Sequence, residues 1–161
     1  SKLQGATNEG IEKAVRSFHG VKHRTQYVKT IEGRKFYNDS KATNVDAALK
    51  GMSSFNKPLI LIVGGHDKGT PLHDFMEYVK IHAKYIILIG ESSERFYEEA
   101  KRAGIHTIEK AVNMEEAIKK AQNIATIGDV VMLSPACSSF DMYSCYEERG
   151  DIFKDIVNHL N

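Results

Sequence analysis

Cysteine is almost absent from this chain: two in 161 residues, Cys137 and Cys145. That is too few for a disulfide scaffold, and the pair lacks the spacing of a zinc site. A reducing compartment is therefore expected. With no basic-then-apolar opening segment, the chain reads as cytoplasmic. Excess charge is missing as well. Lys plus Arg number 22 against 21 Asp plus Glu, a net charge of +1, which gives no electrostatic footprint for nucleic acid. Any anion must be recognised by a few local groups. The longest apolar run, Pro58 to Val63, falls far short of the roughly 20 residues that cross a bilayer, so no membrane partner is expected. No repeat or low-complexity tract is visible. At 42% hydrophobic residues, the chain can fill the core of one domain, read as residues 1–161 with 1–7 as a linker or edge.

Periodicity supplies the elements. Ile11, Ala14, Val15 and Phe18 recur at helical spacing, as do Val45, Ala48, Leu49 and Met52 behind Asn44, a good N-cap residue. Further helices are read from Leu72, Phe75, Met76 and Val79, and from Phe96, Ala100 and Ala103 up to Gly104. Asn113 with Glu116 opens another, and Ile152, Phe153, Ile156, Val157 and Leu160 mark the last. Between them, "PLILIVG" (58–64), "KYIILIG" (84–90) and "DVVMLS" (129–134) are continuously apolar, as strands covered on both faces are. A weaker strand is expected near His106 to Lys110, and a hairpin turning at Glu32-Gly33 precedes the first of these runs. The alternation predicts an α/β, Rossmann-like three-layer fold: a mostly parallel sheet, one antiparallel edge strand, and helices on both faces.

Open α/β sheets bind ligands beyond the carboxyl ends of their strands. Four segments fall there: "NDSKATN" (38–44), "GGHDKGT" (64–70), "GESSE" (90–94) and "SPACSSFDMY" (134–143). The second is not a nucleotide phosphate loop, because Asp67 stands before Lys68 and the glycines are adjacent. Lys68 nonetheless lies where a ligand would. Lys41 and Thr43 precede a helix whose free N–H groups favour an anion. Two lysines at one edge suit carboxylate or phosphate binding. The serine-rich segment has no G-x-S-x-G elbow, so Cys137 reads as a small buried residue and the hydroxyls as a carboxylate pocket, walled by Phe140, Tyr143 and Tyr146. The seven histidines show no metal-ligand spacing, and no G-x-G-x-x-G follows a strand, which disfavours a dinucleotide oxidoreductase.

The segments "FHGVKHR" (18–24), "FYNDSKATN" (36–44), "LIVGGHDKG" (61–69), "GES" (90–92) and "GDVVMLSPACSSFDMY" with "ERG" (128–150) together resemble the carboxyl-terminal domain of the Mur ligases, in the branch that adds D-glutamate. The resemblance implies an ATP-dependent amide ligase of peptidoglycan synthesis. ATP, with Mg2+, would phosphorylate the carboxylate of UDP-N-acetylmuramoyl-L-alanine, and the amine of D-glutamate would attack the acyl phosphate, phosphate leaving through a tetrahedral intermediate. It further implies that Thr43, Lys68, Ser139, Phe140 and Tyr146 bind D-glutamate, the two aromatics through their backbones. Lys41 would act at the acyl phosphate. Arg24 and Asp39, with His23 and Asn38, would meet ATP when domains close. The UDP-sugar and ATPase domains are expected to lie outside these residues, so the chain by itself should be inactive, monomeric and without a bound cofactor. A free-standing amino-acid-binding module is the alternative.

Overall fold

The computed structural model describes Thr7 and residues 21–160; the helix read from Ile11 to Phe18 lies outside the described residues. Strands β1 (Gln26–Ile31) and β2 (Arg34–Asn38) form the antiparallel hairpin. Glu32 and Gly33 both take positive φ, 47° and 79°, as a two-residue primed turn requires. Then follow α1 (Val45–Met52), β3 (Leu59–Gly64), α2 (His73–His82), β4 (Ala83–Ile89), α3 (Ser93–Arg102), β5 (Ile108–Lys110), α4 (Met114–Ile124), β6 (Val130–Leu133) and α5 (Tyr146–His159). The six strands lie in the order β1-β2-β6-β3-β4-β5, and every pairing except β1 with β2 is parallel.

Strand period explains the three layers. Leu59, Leu61 and Val63 face α1, α2 and α3, together with Ile86, Leu88 and Met132. Ile60 and Ile62 face α4 and α5 with Ile87, Ile89 and Leu133. A run that is apolar at every position thus serves two cores. Helix starts are equally local in cause: Asn44 accepts from Ala47 N and Asn113 from Glu116 N, each at 2.9 Å. The Glu116 carboxylate reaches back to Val112 N rather than to the cap residue itself.

Helix α5 begins six residues before its expected apolar stripe. Its N-cap is Cys145, whose sulfur accepts from Glu148 N, a role that residue type rarely advertises. Cys137 is buried, as read from the sequence.

Candidate functional site at the carboxyl edge of the sheet

The chain runs β3, β4, β5 in one direction and then returns to place β6 on the other side of β3. The loops after β3 and β6 therefore diverge at a switch point, where such sheets receive ligands. Backbone bonds still tie their roots together: Gly64 N donates to Pro135 O at 2.8 Å and His66 N to Ser138 O at 2.9 Å. A Cβ at Gly64 would stand 2.1 Å from Ile89 O, and one at Gly65 would stand 2.3 Å from Ser138 O. Neighbouring protein backbone, not a ligand, thus occupies the space that the missing side chains leave.

The serine loop is held from below by Arg149, which is completely buried. Its Nε donates to Ser40 Oγ at 2.9 Å, Nη1 to Ser138 O at 3.2 Å, and Nη2 to Ser40 O and Cys137 O, both at 3.0 Å. Burial pushes its pKa down to about 10, so it stays cationic at neutral pH. One guanidinium thereby fixes the segment carrying Lys41 and Thr43 against the serine loop. No role was expected of Arg149, although it lies four residues before Phe153 and eight before Val157 and so shares their inward face at helical spacing. That spacing was the available signal.

The structure distributes the candidate residues over two hollows. Arg24, Thr25, Asp39, Lys41, Asp46 and Lys50 line an open one of about 430 Å³. Thr43, His66, Asp67, Lys68, Thr70 and Arg95 line a notch of about 20 Å³, alongside Ala136 and Cys137. Such a notch has room for about one water-sized polar group and not for a whole amino acid. Lys41 and Thr43 are two residues apart, so one short segment serves both hollows. Lys68 is exposed and has no ion pair among the described residues.

The remaining candidates are placed differently from one another. Ser139 is buried, with its carbonyl accepting from Met142 N and Tyr143 N. Phe140 is 69% exposed. Tyr146 lies under the Lys41 ammonium, 5.6 Å from ring centre to nitrogen. Tyr143 instead packs into the core shared with α4 and α5, so Phe140, Tyr143 and Tyr146 do not form one wall. His23 is buried with its Nδ1 3.0 Å from Asn38 Nδ2, which also donates to Gly150 O. Burial lowers the His23 pKa, and the neutral ring can then accept from Asn38. Arg24, next in sequence, projects into the larger hollow from this corner, where His23 and Thr25 both have positive φ.

Asp39 accepts from Thr25 N at 2.9 Å and Ser134 Oγ at 3.2 Å, joining that corner to the end of β6. Burial raises its pKa to about 6. A carboxyl with a raised folded-state pKa keeps its proton longer when folded, so stability falls as pH rises from about 4 to about 6. Asp39→Asn preserves both contacts without a charge. Urea unfolding at several pH values should show the variant losing this slope and being at least as stable as the parent above pH 6.5, the slope being worth roughly 2–3 kcal/mol.

The strand ends of this α/β domain thus gather lysines, hydroxyls and an arginine around a switch point. The chain belongs to the Mur ligase family: residues 23–137 match the family described as "Mur ligase, glutamate ligase domain". It is 45% identical over 159 residues to the UDP-N-acetylmuramoylalanine--D-glutamate ligase of Bacillus subtilis (strain 168), covering 99% of this chain and 35% of that protein. The enzyme of the same name from Latilactobacillus sakei is 45% identical over 160 residues, again with 35% of its length covered. The chain thus spans 35% of the length of these curated relatives. Among solved structures, the UDP-N-acetylmuramate-alanine ligase MurC of Thermotoga maritima superposes with a TM-score of 0.67 at 14% identity, covering 98% of this chain and 35% of that one. The bifunctional folylpolyglutamate synthase/dihydrofolate synthase of Yersinia pestis CO92 gives 0.67 at 15%, covering 96% and 35%. Both show a common fold. No helix among the described residues is long and apolar enough to cross a membrane.

Proposed function

We propose that this chain is the amino-acid-binding domain of a cytoplasmic ATP-dependent ligase that joins D-glutamate to UDP-N-acetylmuramoyl-L-alanine in peptidoglycan synthesis. One observation carries the reading: Thr43 and Lys68, from the loops after β2 and β3, line one notch, while Lys41, two residues from Thr43, lines the hollow beside it. A carboxylate of D-glutamate enters the notch between the Thr43 hydroxyl and the Lys68 ammonium, near the buried Ser139 loop. Ser139, Phe140 and Tyr146 do not line the notch; they meet, the two aromatics through their backbones, the part of the amino acid that stays outside it. The amine is then directed toward the larger hollow. There Lys41 and Arg24 meet the phosphate oxygens of the acyl phosphate and of ATP, while His23, Asn38 and Asp39 fix the corner from which Arg24 projects.

ATP and Mg2+ supply the activation of the acceptor carboxylate. The larger hollow suits a polyphosphate in size and carries three cations, Arg24, Lys41 and Lys50, against Asp39 and Asp46. Among the described residues no group of three or more His, Cys, Asp and Glu could hold a metal by itself. This domain's share of catalysis is positioning: holding an amine against a reactive acyl group is worth several kcal/mol, about 7–11 in the best-oriented cases. The sugar-nucleotide and ATPase parts, and a monomeric assembly without nucleic-acid or membrane partners, complete the proposal.

A hybrid tests it. Placed in the Bacillus subtilis relative in exchange for the matching residues, this chain should support ATP-dependent incorporation of D-glutamate. In that hybrid Lys68→Ala should raise KM for D-glutamate at least tenfold with little change in kcat, and Lys41→Ala should lower kcat by about 10²–10³. An active hybrid whose KM ignores Lys68→Ala contradicts the assignment. A hybrid that binds D-glutamate and forms no product favours a binding module.

A further inference from the structure

Arg95 belongs to none of the segments assigned to ligand, yet it touches the loop that carries Lys68 at two places. From the first turn of α3, its Nε donates to Asp67 Oδ2 at 2.7 Å and its Nη2 to Asp67 Oδ1 at 2.6 Å, a bidentate pair. Its Nη1 donates to Thr70 O at 3.0 Å. The guanidinium carbon lies 5.7 Å from the centre of the Phe96 ring, and Phe96 is itself buried. On the other flank, the Glu91 carboxylate is 2.7 Å from His66 Nδ1. Within the loop, Gly69 N donates to Asp67 Oδ1 at 2.9 Å. The loop is thus held through the side chains of His66 and Asp67 and through the backbone at Thr70, and between these grips the Lys68 side chain stands exposed.

Two physical consequences follow. A planar fork holding one carboxylate and one carbonyl fixes a loop's direction as well as its distance, which a lysine at the same position cannot reproduce. The pairing also cancels the charge of Asp67, which would otherwise sit beside Lys68 and repel a dicarboxylate. Both partners line the notch rather than the core, and both are partly exposed. A pair so placed contributes little to global stability. We propose that Arg95 is a positioning residue for ligand binding: through its bidentate pair with Asp67 and its bond to Thr70 O, it holds loop 66–70 in the conformation that presents Lys68 to a ligand carboxylate. The Asp67 carboxyl is held below the ordinary range by this arginine, so the pair persists at every pH near neutrality. The inference rests on the reading of Lys68 as the carboxylate-binding group.

Affinity for D-glutamate, read from the saturation of amide shifts in the isotope-labelled chain well below each variant's melting point, separates the possibilities. Arg95→Ala should weaken binding about tenfold while the melting temperature moves by only a few degrees. Arg95→Lys, which keeps the charge but not the fork, should recover only part of the loss. Lys68→Ala serves as the reference. If Lys68→Ala leaves affinity unchanged, or the parent chain binds no D-glutamate, the reading of Lys68 fails and the inference with it. If Lys68→Ala weakens binding but Arg95→Ala does not, only the inference fails. Full recovery by Arg95→Lys also overturns it, since charge cancellation alone would then suffice.

Discussion

Arg149→Ala should destabilise the chain by about 3–5 kcal/mol, lowering its melting temperature by roughly 10 °C or preventing folding at 37 °C. Among the described residues the guanidinium has no carboxylate partner within hydrogen-bond reach; four neutral acceptors share it. Removing the side chain leaves a large cavity beneath the serine loop and strips donors from Ser40 O and Cys137 O, while Ser138 O keeps the bond from His66 N. Unmet buried carbonyls and an unfilled cavity act in the same direction. Arg149→Lys should recover little, because one ammonium cannot reach acceptors arranged around a planar fork. Urea unfolding with far-ultraviolet circular dichroism measures the effect. A loss below about 1 kcal/mol for Arg149→Ala would mean that the two loops hold each other without it.

Gly64→Ala should cost about 3 kcal/mol or more, through a different cause. Gly64 closes β3 with a φ of +118°, a region nearly closed to other residues, and a Cβ there would meet Ile89 O at 2.1 Å. That oxygen belongs to the adjacent parallel strand, so relief requires the carboxyl ends of β3 and β4 to part. Gly69→Ala is the matched comparison. Its φ is +68° but nothing lies within 4 Å of the added carbon, so only backbone strain remains, about 1 kcal/mol. The unfolding midpoints of the two variants should therefore differ clearly; equal midpoints would show that the strand ends adjust freely.

Much of this fold is legible in the sequence because its causes are local. Three continuously apolar runs mark β3, β4 and β6, Glu32-Gly33 marks the hairpin, and Asn44 and Asn113 cap the helices that follow them. The start of α5 is obscured because a cysteine caps it and its first turns are polar outside a single buried arginine. Arg149 itself hides within a charged stretch, "EERGD", where charge ordinarily signals solvent. For the site, position along the sheet singles out Lys41, Thr43 and Lys68, since strand ends are predictable from strands. The pairing of Asp67 with Arg95 spans 28 residues and depends on how α3 docks, so neither residue type nor spacing announces it. Likewise the alternation that sends Tyr143 away from Phe140 and Tyr146 depends on the path of a loop without periodicity.

The central claim is that the notch between Thr43 and Lys68 receives a carboxylate of D-glutamate. A residue-resolved map of amide shifts in the labelled chain, recorded as D-glutamate is added in the millimolar range, tests it most directly. The largest shifts are expected in residues 39–44, 65–69 and 138–146, and Lys68→Ala should abolish them. Absence of shifts in those segments, or shifts confined to the far groove between Ile118 of α4 and Ile156 of α5, would contradict the claim.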